Sequence, residues 1–94
     1  MDRKVFIDTL ITQLRKLDAE IDKFEARLQK AESDAKAACR EQIQELRSKK
    51  AVVQDRLDEI MQASEEAWGE LKSGAEEAFD DMKKAFQSAL SKFK

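Results

Sequence analysis

The side chains of this sequence that could do chemistry are its carboxylates and one thiol. The acids recur in doublets, Glu65–Glu66, Glu76–Glu77 and Asp80–Asp81. On a helix, Glu66 with Glu70, and Glu76 with Asp80, fall one turn apart on one face. Such a pair offers hard oxygen ligands to a divalent cation, though only weakly. A solvated acidic face is the plainer reading. General acid–base chemistry is poorly served, because the chain has neither histidine nor tyrosine. It has no glycine-rich phosphate loop and no Cys-x-x-Cys pair. The inward Glu-x-x-His of a diiron bundle is ruled out by composition. No enzyme, cofactor or metal site is expected.

Cys39 is the one cysteine, so no disulfide forms within these 94 residues. A lone thiol fits a reducing compartment. Its plain reading is a small apolar residue in a helix seam. The sharper reading is a disulfide between two parallel chains, with Lys36 and Arg40 lowering the thiol pKa.

The elements that would carry these groups are all helices. The chain has no proline, two glycines and 40% charged residues, the composition of long helices and coiled coils. Leu10, Leu14, Leu17, Ile21, Phe24, Leu28, Ala31, Ala35 and Ala38 follow one another in steps of three and four. Spacing that averages 3.5 marks a seam facing a partner helix. A four-residue stutter at Ala35, Cys39 and Ile43 resets it. Ile43, Leu46, Lys50, Val53, Leu57 and Ile60 then resume the heptad. Lys50, a charge on the seam, reads as a register-setting or snorkelling residue.

From Trp68 onward the period changes. Trp68, Leu71, Ala75, Phe79, Met82, Phe86, Leu90 and Phe93 repeat every eleven residues, and Ala78, Ala85 and Ala89 widen the stripe. Eleven residues in three turns describes a straight, broad apolar face rather than a narrow seam. Gly69 and Gly74 stand at its start, and Ser64 and Ser73 are candidate N-caps, the latter with capping-box spacing to Glu76. The sequence therefore divides into a heptad coiled coil over 1–63 and an amphipathic helix over 64–94, with a hinge between Ser64 and Gly74.

The first segment has two readings. The alanines at 31, 35, 37 and 38 favour one unbroken helix over about residues 3–62, some 90 Å long at the rise of an α-helix. Ser33 and Asp34, the local turn formers near its middle, would instead fold it into an antiparallel hairpin. The continuous rod is the preferred expectation. Exposed pairs Glu32–Lys36, Glu45–Lys49 and Asp80–Lys84 at i, i+4 support helix in either case. A rod would expose its whole seam, so it would need copies of itself or another helical protein to cover it.

Net charge is −2, which gives no general attraction to nucleic acid. Between Glu65 and Asp81 there are seven acids and one lysine, whereas Met82 to Lys94 holds four lysines and no acid. This polarity matches a helix dipole; it also suits a basic tip touching a membrane surface. Acids and bases interrupt the N-terminus, so no secretory signal is expected. No stretch approaches the roughly 18 apolar residues of a membrane span. Cytoplasmic location, with peripheral membrane contact as the variant, is the expectation.

The run Leu17 to Ala26, the stretch Glu41 to Arg47 and above all Ser64 to Phe79, with Trp68, Leu71, Lys72 and Gly74, resemble a group of small bacterial coiled-coil proteins, some labelled stress-response proteins. The resemblance covers nearly the whole chain, and Trp68 to Gly74 is its most specific part. Where that group often has a second tryptophan after the glycine, this chain has Phe79. The resemblance implies a helical cytoplasmic or membrane-associated protein and carries no catalytic residues. Two functions follow as expectations: a homo-oligomeric structural or interaction protein, and a peripheral membrane protein acting through residues 64–94.

Overall fold

The computed structural model describes residues 2–30 and 33–92, and of residues 33–35 the backbone only. Every regular element among them is a helix: α1 (Arg3–Leu28), α2 (Ser33–Gln62) and α3 (Trp68–Lys92). The all-α expectation holds. The unbroken rod does not. The chain turns between Leu28 and Ser33, and the molecule's long axis is 51 Å.

Energetics explains the choice. Alanine gains at most about 0.7 kcal/mol over other ordinary residues in a helix. Burying one leucine, isoleucine or phenylalanine contributes roughly 1.5–3 kcal/mol. A rod keeps the first and forfeits the second. Folding back buries Leu10, Leu14, Leu17, Ile21, Phe24 and Leu28 of α1, together with Ile43, Leu46, Val53, Leu57 and Ile60 of α2. These are the residues of the proposed oligomer seam, so the chain's own helices cover what a rod would have presented to a second chain. Ala31 lies outside the described residues, as does the side chain of Ala35. Ala38 is exposed, and Cys39 takes the buried place beside it.

Gln29 and Lys30, the described part of the turn, use no left-handed backbone. Gln29 closes α1 in right-handed helical geometry, its N–H bonded to Glu25 O at 3.1 Å, and Lys30 N–H reaches Arg27 O at 3.3 Å. At the other end of α2 the chain passes through residues 63–67. There Ser64 caps the turn at residues 65–67 that leads into α3. Its Oγ accepts from Ala67 N–H at 3.2 Å, and its carbonyl accepts from Ala67 and Trp68 N–H at 3.1 Å. Ser73 and both glycines lie inside α3, so the second proposed cap is not formed, and the break between helices falls at residues 63–67, at the start of the expected hinge zone.

α2 runs antiparallel to both neighbours. Arg3 near the start of α1 meets Ile60 near the end of α2, and Lys49 of α2 meets Asp81 of α3. α1 and α3 run parallel, with Phe6 against Trp68 and Phe24 against Phe86 at the same sequence offset. The heptad segment and the C-terminal helix share one continuous core.

Candidate functional site

The chemistry-bearing residues come first. Glu76 lies 3.8 Å from Lys72, and Asp80 lies 3.0 Å from Lys84, each pair on α3. The lysines of the same helix thus take up one of the two carboxylate pairs considered for a cation, Glu76 with Asp80. No cluster of three or more metal-ligating side chains occurs among the described residues. Lys49, expected to pair with Glu45, reaches across to Asp81 at 2.7 Å. Glu32 lies outside the described residues.

Cys39 is buried, with 2% of its surface exposed. Loss of water around the sulfur pushes the thiol pKa up, the reverse of the lowering expected from Lys36 and Arg40. A protonated, enclosed thiol is a poor nucleophile. Disulfide formation between chains would require α2 to open first.

The C-terminal stripe keeps Ala75, Met82 and Phe86 buried, as expected, but is rotated slightly so that Ala89 of its flank joins its centre. Trp68, Leu71, Phe79 and Leu90 are half-buried at its edge, and Phe93 lies outside the described residues. Phe79 lies with Leu17, Lys16 and Lys83 in the groove between α1 and α3.

Ion pairs lock the helices along α2. Lys50, the charged residue on the seam, meets Asp18 of α1 at 3.0 Å. Arg47 bonds Glu25 of α1, with Asp22 3.7 Å away, and the bond to Glu25 raises the guanidinium pKa further. One clamp has no precedent in the periodicity. The Arg3 guanidinium donates to Ile60 O at 3.2 Å, to Ala63 O at 2.5 Å and to Glu65 Oε1 at 2.7 Å. A cation there satisfies the free carbonyls and negative dipole end of α2. Nothing local marks Arg3 for this, since its partners lie at the far end of the hairpin. Phe6 was legible as a core residue, being one step of four before Leu10. Its ring centre lies 6.2 Å from that of Trp68, the two rings tilted by 36°, with the Lys72 ammonium 5.6 Å from its ring centre.

What remains uncovered is a set of surfaces between helices. On the outer face of α1 and α2, away from α3, Ile7 and Ile11 are half-buried and Met61 is 49% exposed. One groove there is lined by Ile11, Leu14, Leu57 and Met61 among charged residues that include Arg15, Asp55 and Asp58; a second, farther along, is lined by Leu28, Cys39 and Ile43 with Lys36, Arg40 and Arg47. Between α2 and α3 a shallower groove runs past Val52, Gly74 and Ala78. No helix is long and apolar enough to cross a membrane among the described residues. No protein family, curated protein or solved structure matches the chain.

Proposed function

We propose that this protein is a non-catalytic interaction protein: a three-helix bundle that associates with other helices, copies of itself foremost. The observation that carries this reading is the uncovered groove of the α1/α2 face, part apolar and part charged, with Met61 half in solvent at its end. Grooves between helices accept a further helix by the same ridge-and-groove fit that packs the bundle itself. The seam no longer supplies the motive for association, because the chain covers it. The outer groove supplies it instead. The resemblance to small bacterial coiled-coil proteins adds a cytoplasmic, stress-linked setting to the same proposal.

Mass measured by light scattering over a wide concentration range, with and without reductant, tests the proposal. The expected result is a reversible increase in mass with concentration that reductant does not change, since Cys39 is buried. A constant monomer mass in the presence and absence of cell extract proteins would refute it.

Peripheral membrane binding is the second reading, favoured by the half-buried Trp68, Phe79 and Leu90. It requires α3 to leave the bundle, exposing Met82 and Phe86 at roughly 1.5–3 kcal/mol each. Trp68 is the sole tryptophan, so a blue shift of its fluorescence on adding anionic vesicles at low salt reports this directly.

A further inference from the structure

The outer face of α1 and α2 has a charge pattern that selects among possible occupants. One helical stripe runs its length. On α1 it passes through Ile7, Ile11, Asp18 and Glu25; on α2 through Arg40, Arg47, Lys50, Asp58 and Met61, all at helical spacing. Midway along it, the pairs Lys50–Asp18 and Arg47–Glu25 cancel within the chain. The ends do not cancel. At the end with Met61, Asp55 and Asp58 face a single cation, Arg15. At the end with Cys39, Lys36 and Arg40 are left over among the described residues once Arg47 and Glu25 are paired. Arg40 and Asp58 are about 27 Å apart along α2. The screening length in physiological salt is about 8 Å, so the two ends do not neutralise each other.

We propose that this face is where two copies of the chain pack against each other, antiparallel, about a two-fold axis near the middle of α2. The inference rests on the self-association reading above and names its surface and its orientation. Turned end for end, a second copy sets Asp55 and Asp58 opposite Lys36 and Arg40 at both ends of the interface. A two-fold interface uses the same patch twice, so one charge gradient serves both contacts. A parallel copy sets like charges together at both ends. A nucleic acid or an anionic lipid surface complements only the basic end and is repelled by the other. The same rotation lays the end of each copy that carries the part-exposed Ile7, Ile11 and Met61 over the partner's other end, where Leu28, Cys39 and Ile43 line the groove, so apolar contact accompanies each charge match.

Two double variants test this, each made of residues on the outer surface. Asp55→Lys with Asp58→Lys makes both ends basic; Lys36→Glu with Arg40→Glu makes both ends acidic. The wild-type protein is expected to be a dimer by sedimentation equilibrium, and each variant alone to have a dissociation constant raised ~tenfold or more. Mixed in equal amounts, the two variants are expected to form a heterodimer, because every end again meets its opposite. Circular dichroism on each variant confirms that its helices are intact. A wild-type dimer unmoved by either variant, or no recovery on mixing, overturns this face while leaving self-association standing. A wild-type monomer throughout overturns both.

Discussion

Helix α3 meets α2 through small residues and α1 through large ones. Towards α2 it turns Ala78, with Ala85 one heptad on, and Ala75 and Ala89 to either side of them in sequence are fully buried. The backbones of α2 and α3 come closer than any other pair. Towards α1 it turns Trp68, Phe79 and Phe86, which reach Phe6, Leu17 and Phe24 across a wider gap. Both interfaces exclude water, by different means. Close approach of backbones needs side chains with nothing beyond Cβ; a distant helix must be filled by rings. The two interfaces should therefore fail in opposite directions, one on losing volume and the other on gaining it.

Loss of volume at the α1 side is expected to be the largest effect. Phe24 is 3% exposed and meets Phe86 edge to face at 5.9 Å between ring centres. Phe24→Ala should destabilise the fold by about 3–5 kcal/mol, from lost transfer energy and the cavity left behind. Urea unfolding followed by circular dichroism measures it. A cost under 1 kcal/mol would mean that α1 settles onto α3 and that the gap is not fixed by the rings.

This contrast also explains how much could be read from the sequence. The seam from Leu10 to Leu28 was legible because its spacing reflects the geometry of one helix, whatever covers it. What covers it was not. The turn at residues 29–30 has no glycine, no proline and no left-handed residue, so it carries no turn chemistry. The alanines around it argue for helix, and only the energy of burying α1 on α2 overrides them. Ser64 was legible as a cap, while the same spacing at Ser73 is coincidence within α3. The clamp by Arg3 and the crossing from Lys49 to Asp81 are tertiary facts with no local signature. The rotation of the α3 stripe was hidden for a related reason. Side-chain size alone ranks Phe79 above Ala75, but contact with a close helix buries the alanine and leaves the ring at the edge.

Gain of volume at the α2 side comes next. Ala75 is fully buried, so Ala75→Leu must push the closest helices apart or force strained rotamers, at about 1–3 kcal/mol. The same denaturant titration reads it. Destabilisation here and in Phe24→Ala together would establish that the two sides are packed on opposite principles. An Ala75→Leu protein as stable as the wild type would show that the alanine side holds spare room.

A smaller effect, of opposite sign, is expected at Gly69. It lies in the first turn of α3, exposed, and a Cβ placed there meets nothing within 4 Å. Its backbone is not left-handed, so alanine fits without strain. Gly69→Ala should stabilise the protein by roughly 0.4–1 kcal/mol through reduced freedom of the unfolded chain. A rise in the thermal midpoint checks it. A fall would show that Gly69 is needed for a conformation other than this one.

The smallest effect distinguishes an ion pair between helices from one within a helix. Lys49 of α2 donates to Asp81 of α3, and that bond raises the ammonium pKa above 10.5. Asp80 does the same for Lys84, but both lie on α3. A raised pKa means that the folded state holds the proton more tightly than the unfolded state. The stability it contributes is complete below pH 10.5 and declines as the pH rises through the folded value. Asp81 is two-thirds exposed, so water screens the pair and its worth is a few tenths of a kcal/mol. Lys49→Met should therefore flatten the alkaline fall in stability measured by urea titration between pH 9 and 12, relative to wild type. Lys84→Met removes no bond between α2 and α3 and should alter the protection of α2 amides from hydrogen exchange less than Lys49→Met, which should lower it. Equal effects of the two substitutions on α2 exchange would mean that the Lys49–Asp81 bond does not tie the two helices together.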